Sequence, residues 1–379
     1  MPLWGRCTGS TDFTSRKKNT RKTNGATKQH SMRDQRQLWK SFSSSFASFE
    51  FTDISVFCIT TASGNVKETF EVPATPEGMD VLIEKMKGKK FKVLAEASTY
   101  TIDLHDHLVS KGVESYLAHP HTLKLITESC RKTDRNDSKT LASYLRLWDK
   151  HELDISISFV VDGDNRSLRE LCRLRESVSE MKGSTMQQIK SHMRINGQYV
   201  EFEDLTTIKA RKHIRENFCE DLCLMMLLDI YVVFEDKGKI LDSEIERRFG
   251  DRNEVQLLAT IPGVGITTAA QLMSMIVDVH RFPTADKMRS YFGMAPTVRD
   301  SGGSLKHGHI TRRGDPMMRK ILSRVVAQMI KNAPSDNLAV YRESHRSAMR
   351  PGMLMVACMN RLLDIIYAVL VRGTPYIHM

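Results

Sequence analysis

The sequence lacks a continuous apolar segment long enough to cross a membrane. Its longest apolar run, residues 352–371, is interrupted by Asn360, Arg361 and Asp364, whereas a membrane helix needs about 20 predominantly apolar residues. The basic amino-terminal segment also lacks the apolar stretch of a secretory signal. We therefore predict a cytoplasmic protein with no membrane partner.

Cysteines are few, and no internal repeat is present. The seven cysteines are odd in number and scattered over 379 residues, which is typical of reduced thiols and excludes a disulfide framework. Cys219 and Cys223 would need two further ligands to hold zinc, so we interpret them as packing residues.

Positive charge is in excess and unevenly distributed. The chain has 56 Lys and Arg against 45 Asp and Glu, a net charge of +11. Residues 1–46 hold ten basic and two acidic residues, and residues 301–350 hold ten and three. A basic segment inside a folded region favours a nucleic-acid partner; the alternative is a solvated basic face.

The order of the expected elements predicts an α/β region followed by a mostly helical one. Strands are expected at 54–60, 68–72, 91–95 and 113–117, with helices at 76–87 and 104–111 between them. From Arg166 onward, and again over residues 214–234, apolar residues recur every three to four positions, which predicts two long antiparallel helices forming a coiled-coil hairpin. A third, largely helical segment runs from Val255 to the end. Residues 1–46 show no apolar periodicity and are expected to be disordered.

Three acidic residues are candidate ligands of a metal ion. Asp134 and Asp137 are three positions apart, so on a helix they share one face. Paired carboxylates there can hold Mg²⁺ against a phosphate, although acids also occur at helix starts because of the helix dipole. Glu96 follows the buried strand 91–95, where α/β sheets build their sites; the alternative is a glutamate already in solvent.

Two further motifs indicate DNA chemistry. Pro262-Gly263-Val264-Gly265 opens a helix in the manner of a helix-hairpin-helix, whose backbone N–H groups bind DNA phosphates; the alternative is a structural turn. Ser301 precedes two glycines, so its hydroxyl could lie exposed on a loop and attack a phosphate whose charge Arg312 and Arg313 neutralise. A flexible serine–glycine turn is the alternative.

In this order, the motifs resemble the DEDD-type insertion-sequence transposases of the IS110 class, together with the Piv/MooV-like recombinases. The resemblance extends over roughly residues 54–379 and rests on Lys132-Thr-Asp134-x-x-Asp137, on Pro262-Gly263-Val264-Gly265, and on the run from Phe282 through Ser301 to Arg319. It implies an RNase H/RuvC-like domain at 47–155, a coiled-coil insertion at 156–250, and a mostly helical transposase domain at 251–379.

The resemblance also implies the site and the partners. Four acids would bind Mg²⁺, three of them Glu96, Asp134 and Asp137, and Ser301 would be the nucleophile. DNA would be held by Gly263, Gly265, Lys306, Arg312, Arg313 and Arg319. The family further implies an element-encoded guide RNA, a homo-oligomer (dimer or tetramer) in which two subunits share a site, and association with the bacterial nucleoid when bound to DNA.

The first acid departs from the family pattern. Asp53 is the formal candidate, with Glu50 as the alternative, but neither stands in the family's Gly-Ile-Asp context. Asp53 precedes Gly64 by 11 residues, which at about 3.3 Å per residue barely holds one strand and a turn. We therefore expect residues 1–46 to be foreign to the family and the first catalytic strand to be lost.

The sequence thus predicts a DNA transposase or site-specific recombinase. Two rivals stay open: a Mg²⁺-dependent nuclease or resolvase of RNase H type, which would leave Ser301 idle, and a DNA-binding remnant without activity. A protein–DNA adduct that resists denaturation would distinguish a transposase or recombinase from both the nuclease and the inactive remnant.

Overall fold

The fold is taken from a computed structural model that describes residues 44–51, 54–120, 123, 133–200, 206–301 and 304–377. Contacts divide the chain into two compact units, one up to Val160 and the other from Val161. The first unit is α/β and the second is mostly helical, so the coarse fold class predicted from the sequence is confirmed.

A five-stranded mixed sheet forms the centre of the first unit. Its spatial order is β3-β2-β1-β4-β5. β1 pairs antiparallel with β2 and parallel with β4, β2 pairs antiparallel with β3, and β4 pairs parallel with β5. The strands are β1 (Ser44–Phe51), β2 (Ile54–Thr61), β3 (Val66–Pro73), β4 (Phe91–Glu96) and β5 (Glu114–Ala118).

The central strand β1 corrects one prediction. We expected the first strand to be lost, but Ser44–Phe51 pairs with β2 on one side and β4 on the other. It begins inside the segment 1–46 that was expected to be disordered. Local sequence did not reveal it because serine interrupts the apolar pattern, whereas the strand is held between the next strand along the chain, β2, and the more distant β4.

Helices cover both faces of the sheet. They are α1 (Pro76–Lys85), α2 (Thr101–Ser110) and α3 (Asp134–Asp149). Because neighbouring strand residues point to opposite faces, Val93 packs with α1 and α2 while Leu94 packs with α3. The α3 side is closed by Leu141, Ala142 and Leu145, all nearly fully buried. This layering fixes α3 against the centre of the sheet.

The second unit begins with a long helical arm. It consists of α4 (Gly163–Ile195), α5 (Ile208–Asn217) and α6 (Leu222–Phe249). An ion pair joins Arg175 to Asp242 at 2.7 Å, and a hydrogen bond joins His192 to Asp221 at 2.7 Å, so α4 and α6 run antiparallel as predicted. The expected second helix, 214–234, is broken at 218–221, where Asp221 caps α6 by accepting the Leu224 N–H.

The rest of the second unit is a helical bundle with one β-hairpin. Its elements are α7 (Asn253–Ala259), α8 (Ile266–Ile276), α9 (Ala285–Tyr291), β6 (Pro296–Ser301), β7 (Ser304–Ile310), α10 (Pro316–Asn332), α11 (Asn337–Ser344) and α12 (Pro351–Arg372). Leu168 and Ile245 at the root of the arm share its core. The predicted division at 156–250 and 251–379 therefore stays a prediction.

Helix α12 has the length and apolar content of a membrane span, alone among the described helices. One side of it is buried in the helical core through Leu354, Cys358, Leu362, Ile366 and Val369. The core helix of a soluble protein has this same character, so α12 gives no support to a membrane location.

Candidate functional site

Glu96 lies at the carboxyl end of β4 and is half-buried. The chain leaving the strand is held in place on both sides. The Ala97 N–H donates to the carbonyl of Ala118 on β5 at 2.9 Å, and the buried Thr101 hydroxyl donates to the Glu96 carbonyl at 3.0 Å. The carboxylate is therefore carried by a fixed backbone at the edge of the sheet.

Asp134 and Asp137 occupy the first turn of α3, as predicted. The helix starts there because the Thr133 hydroxyl accepts the N–H of Asn136. Both aspartates are half-buried, and the Oδ2 atom of Asp137 has no access to solvent. They lie one turn apart on one side of the helix.

Two ion pairs set the direction of α3 across the sheet. Lys92, near the start of β4, contacts Asp149 at the end of α3 at 2.7 Å. Arg135, in the first turn, contacts Glu71 on β3 at 3.4 Å. Helix α3 therefore runs opposite to β4, and its acidic first turn lies at the edge where β4 ends with Glu96.

The carboxyl end of β1 lies at this same edge, because β1 and β4 are parallel. Glu50 is the one acid in the β1 sequence and pairs in register with Ser55. Asp53, the formal candidate for the first metal ligand, lies outside the described residues. The predicted acids that the structure describes are thus brought to one edge of one sheet.

The donor set suits a hard divalent cation. Glu96, Asp134 and Asp137 offer only carboxylate oxygens, which are the ligands that Mg²⁺ takes in proteins. Within the described ranges, no three or more His, Cys, Asp or Glu side chains meet in ligand geometry. The residues fit the ion chemically, and the role of each stays a prediction.

Ser301 occupies the end of a strand and not the open loop that the sequence suggested. It is the last residue of β6 and pairs in register with Ser304, the first residue of β7. Gly302 and Gly303, between them, lie outside the described residues. Lys306 stands on β7 opposite Arg299. Ser301 is therefore at the tip of a hairpin, with a basic pair two positions further along the strands.

The base of this hairpin is locked by a close crossing of two glycines. A Cβ on Gly293 would lie 2.6 Å from the Gly314 nitrogen, and one on Gly314 would lie 2.3 Å from the Phe292 carbonyl carbon. Gly293 also has φ +69°, which favours glycine. The Arg312 N–H donates to the Gly293 carbonyl at 3.0 Å. The hairpin consequently projects from a rigid base.

The predicted arginines beside the hairpin differ in their surroundings. Arg312 and Arg313 are exposed, and within the described part of the chain neither enters an ion pair. Arg312 has φ +56°, a conformation uncommon for a side chain of its size. Arg319 is half-buried and donates to the carbonyl of Gly314 at 2.9 Å, so it supports the loop that carries the other two.

The predicted glycine turn connects α7 to α8. Gly263 has φ +81°, and its missing side chain lets the turn approach α10, where a Cβ would lie 2.9 Å from that of Gln328. Gly265 is the N-cap residue of α8 without a side-chain cap, and a Cβ there would meet nothing within 4 Å. Gly263 is therefore needed for packing against α10, and Gly265 leaves the start of α8 accessible.

A charged joint at the root of the arm was not predicted from the sequence. Glu176 on α4 is buried and contacts Lys320 at 2.7 Å and Arg324 at 3.5 Å, both on α10. Burial raises the pKa of Glu176, but Lys320 and Arg324 outweigh it and hold the pKa below its usual 4.5. The sequence feature that indicates such a joint is a pair of acids four residues apart on one helix, Glu176 and Glu180, with a pair of basic residues four apart on another, Lys320 and Arg324.

Two family models match the chain, and their ranges include these features. A DEDD-type IS110 transposase model matches residues 52–196, and the transposase IS116/IS110/IS902 family matches residues 255–341. The first range contains Glu96, Asp134 and Asp137, and the second contains Gly263 and Ser301. The chain belongs to the IS110-class DNA transposases.

The curated relatives are distant. The transposase of insertion sequence IS1111A from Coxiella burnetii is 23% identical over 287 residues, 70% of this chain and 73% of that protein. The pilin gene-inverting protein of Moraxella lacunata is 28% identical over 45% of this chain and 57% of its own length. An uncharacterized protein of insertion element IS110 from Streptomyces coelicolor is 26% identical, and the match spans 38% of its length.

Proposed function

We propose that this chain is a DNA transposase or site-specific recombinase whose first unit is an RNase H/RuvC-like domain. The observation that carries the proposal is the single sheet edge where Glu96 and the acidic first turn of α3 lie. The strand order β3-β2-β1-β4-β5, with three antiparallel strands followed by two parallel ones, supports it. Membership in the transposase family supports DNA as the substrate.

In this proposal Glu96, Asp134 and Asp137 hold Mg²⁺, with Asp53 or Glu50 as the fourth acid. The bound ion supplies Lewis-acid polarisation of the scissile phosphate and stabilises the charge that develops on it. The protein's part is to fix the carboxylates. The sheet holds Glu96, the Thr133 cap starts α3, and the pairs Lys92–Asp149 and Arg135–Glu71 orient that helix.

Ser301 is the proposed nucleophile. Its hydroxyl oxygen forms a bond to phosphorus, the bond from phosphorus to one deoxyribose oxygen breaks, and the hydroxyl proton leaves for the released deoxyribose oxygen. The phosphoserine conserves the energy of the diester for rejoining. Arg312 and Arg313 neutralise the phosphate, and the glycine crossing fixes the base of the hairpin whose strand carries Ser301.

The remaining contacts are proposed for the DNA backbone. Gly265 offers an uncapped helix start, supported by Gly263 in a turn of helix-hairpin-helix type. Lys306 and Arg319 add charge near the hairpin. A guide RNA and a homo-oligomer in which one subunit's acids meet another's serine are part of the proposal, as is a cytoplasmic, nucleoid-associated location.

Excision of the element from its own flanking DNA tests the proposal. The gene with its native flanks is placed on a plasmid, and joined ends or resealed flanks are amplified. We expect products from the wild type and from Asp154→Asn, which changes an exposed aspartate of the same unit beyond the end of α3. Asp137→Asn should reduce them about 100-fold or more, because a carboxylate ligand contributes several kcal/mol to the transition state. Equal products from both variants would refute the acidic site, and cutting without joining would indicate a nuclease.

A further inference from the structure

A cavity of about 370 Å³ opens in the second unit, between α12, the start of α11 and residues 374–377. Its volume lies within the range of sites for small molecules, roughly 300–1,000 Å³. Most of its lining comes from residues beyond 341, where the family match ends. None of the sequence motifs contributes a residue to its lining.

The charges around the cavity are unbalanced. Arg361 and Arg372 line it, and among the described residues neither enters an ion pair. The lining carboxylate, Asp364, is instead paired with Arg289 of α9. The cavity therefore presents two guanidinium groups that are available to the phosphates of a ligand.

The two arginines stand at opposite ends of an apolar stripe on α12. Arg361, Ile365, Ala368 and Arg372 recur at helical spacing, so they share one face. Eleven residues separate the two arginines, which is about 16 Å along a helix. A ligand filling the cavity would thus contact an apolar surface in the middle and a guanidinium at either end.

One wall is formed by Tyr376, which is held both through its hydroxyl group and through its backbone N–H. The Tyr376 hydroxyl donates to the carboxylate of buried Asp336 at 2.6 Å, and the Tyr376 N–H donates to the Thr260 hydroxyl at 2.8 Å. Thr260 lies at the start of the glycine turn between α7 and α8. The wall is consequently preorganised, and it adjoins the turn proposed to bind a DNA phosphate.

The first arginine is also fixed in direction. The Arg361 guanidinium lies over the ring of Tyr341, 3.6 Å from its centroid. Stacking of this kind restricts a side chain that would otherwise be flexible. A positioned guanidinium, an apolar stripe and a held aromatic ring are the components with which proteins bind single-stranded nucleic acids.

We propose that this cavity accepts a short unpaired segment of a single-stranded nucleic acid, with bases over Ile365 and Ala368 and phosphates of the segment at Arg361 and Arg372. The inference rests on the proposed function, since it assumes that the chain handles DNA. It adds a site that holds a strand after its bases have been separated, next to the turn that binds the backbone.

Fluorescence anisotropy of the full chain tests the cavity with three probes: oligothymidylate, oligouridylate and a DNA duplex of equal length. Ala368→Trp fills the cavity, and Met353→Trp places the same side chain at an exposed position of the same helix. We expect Ala368→Trp to weaken single-strand binding about ten-fold, equivalent to about 1.4 kcal/mol, and to leave duplex binding within two-fold. Oligothymidylate and oligouridylate distinguish a DNA strand from RNA as the occupant.

A second variant, which changes charge and not cavity volume, keeps the proposal testable if Ala368→Trp does not fold. Arg372→Gln, at an exposed position, should weaken single-strand binding more than Lys287→Gln, an exposed lysine of α9 that does not line the cavity. Equal effects of Ala368→Trp and Met353→Trp, with folded proteins by circular dichroism, would refute the cavity alone. Failure of the wild type to bind any probe would refute the proposed function as well.

Discussion

At the scale of the residue, Asp134 and Asp137 are the acids whose proposed role depends most on their position. Each is expected to hold Mg²⁺ at the edge of the sheet, because a hard divalent cation takes carboxylate oxygens as its ligands. We predict that millimolar Mg²⁺ raises the melting temperature of the wild type, since a ligand that binds the folded state stabilises it. Asp134→Asn and Asp137→Asn should each lose most of this increase. Asp154→Asn, at an exposed aspartate beyond the end of the same helix, should keep it; equal losses in all three variants would contradict the assignment.

Gly314 is expected to be essential for a purely steric reason. A Cβ there would lie 2.3 Å from a backbone carbon of Phe292, and backbone cannot move aside as a flexible side chain can. Gly314→Ala should lower the free energy of unfolding by about 1–3 kcal/mol. Gly352→Ala, in open space on α12, should stabilise by about 0.4–1 kcal/mol. The urea midpoints measure both, and a neutral Gly314→Ala would show that the base of the hairpin is not rigid.

At the scale of the element, two glutamates at the joint between α4 and α10 differ in burial. Replacing the buried one should therefore cost more free energy of unfolding than replacing the exposed one. Glu176→Gln leaves Lys320 and Arg324 without their buried partner and should cost about 1–3 kcal/mol, less than for a fully buried pair because both cations reach solvent. Glu180→Gln removes an exposed partner of Lys320 and should cost less than about 1 kcal/mol.

The joint should also respond to pH in a defined direction. The pKa of Glu176 is lower in the folded chain than its usual value of 4.5. Its contribution is therefore complete above pH 4.5 and is lost as the pH falls through the lower, folded-state pKa. Denaturation curves from pH 7 downward should show wild type and Glu176→Gln converging in stability at acidic pH. A difference that grew on acidification would contradict the ion pair.

Elements with strong local patterns were predictable, and elements held by distant partners were not. The strand at 54–60 and the helix at 76–87 were found within a few residues because apolar residues recur at their own periods. β1 was missed because serines weaken its pattern and its hydrogen bonds come from two other strands. The break before Asp221 was missed because the apolar pattern continues through it.

The same division applies to the site. Glu96, Asp134 and Asp137 were identified from their places at the ends of elements, and their common edge follows from the direction of α3. That direction depends on Lys92–Asp149 and Arg135–Glu71, pairs 57 and 64 residues apart. The partners of Glu176 and the cavity beside α12 were not predicted, because each is formed by side chains from elements far apart in sequence, and the i,i+4 spacing of charges within one helix does not identify the helix it packs against.

At the scale of the whole molecule, the excess of positive charge should govern the affinity for DNA. Each phosphate contact contributes about −0.9 to the slope of log affinity against log salt on duplex DNA. Replacing Arg312 and Arg313 together by Gln should flatten this slope by about two units. Replacing Arg247 and Arg248, which are both paired with Glu244, should leave it unchanged. If the slope is the same in all three proteins, DNA binds a surface that does not include Arg312 and Arg313.

The central claim is that a serine at the tip of the hairpin attacks DNA, and a covalent adduct tests it most directly. The full chain is incubated with Mg²⁺ and DNA carrying the element's ends, then denatured and resolved by electrophoresis. We predict an adduct from the wild type and from Ser304→Ala, and none from Ser301→Ala, whose DNA affinity should stay within about two-fold because no charge is removed. An adduct formed by Ser301→Ala would contradict the account.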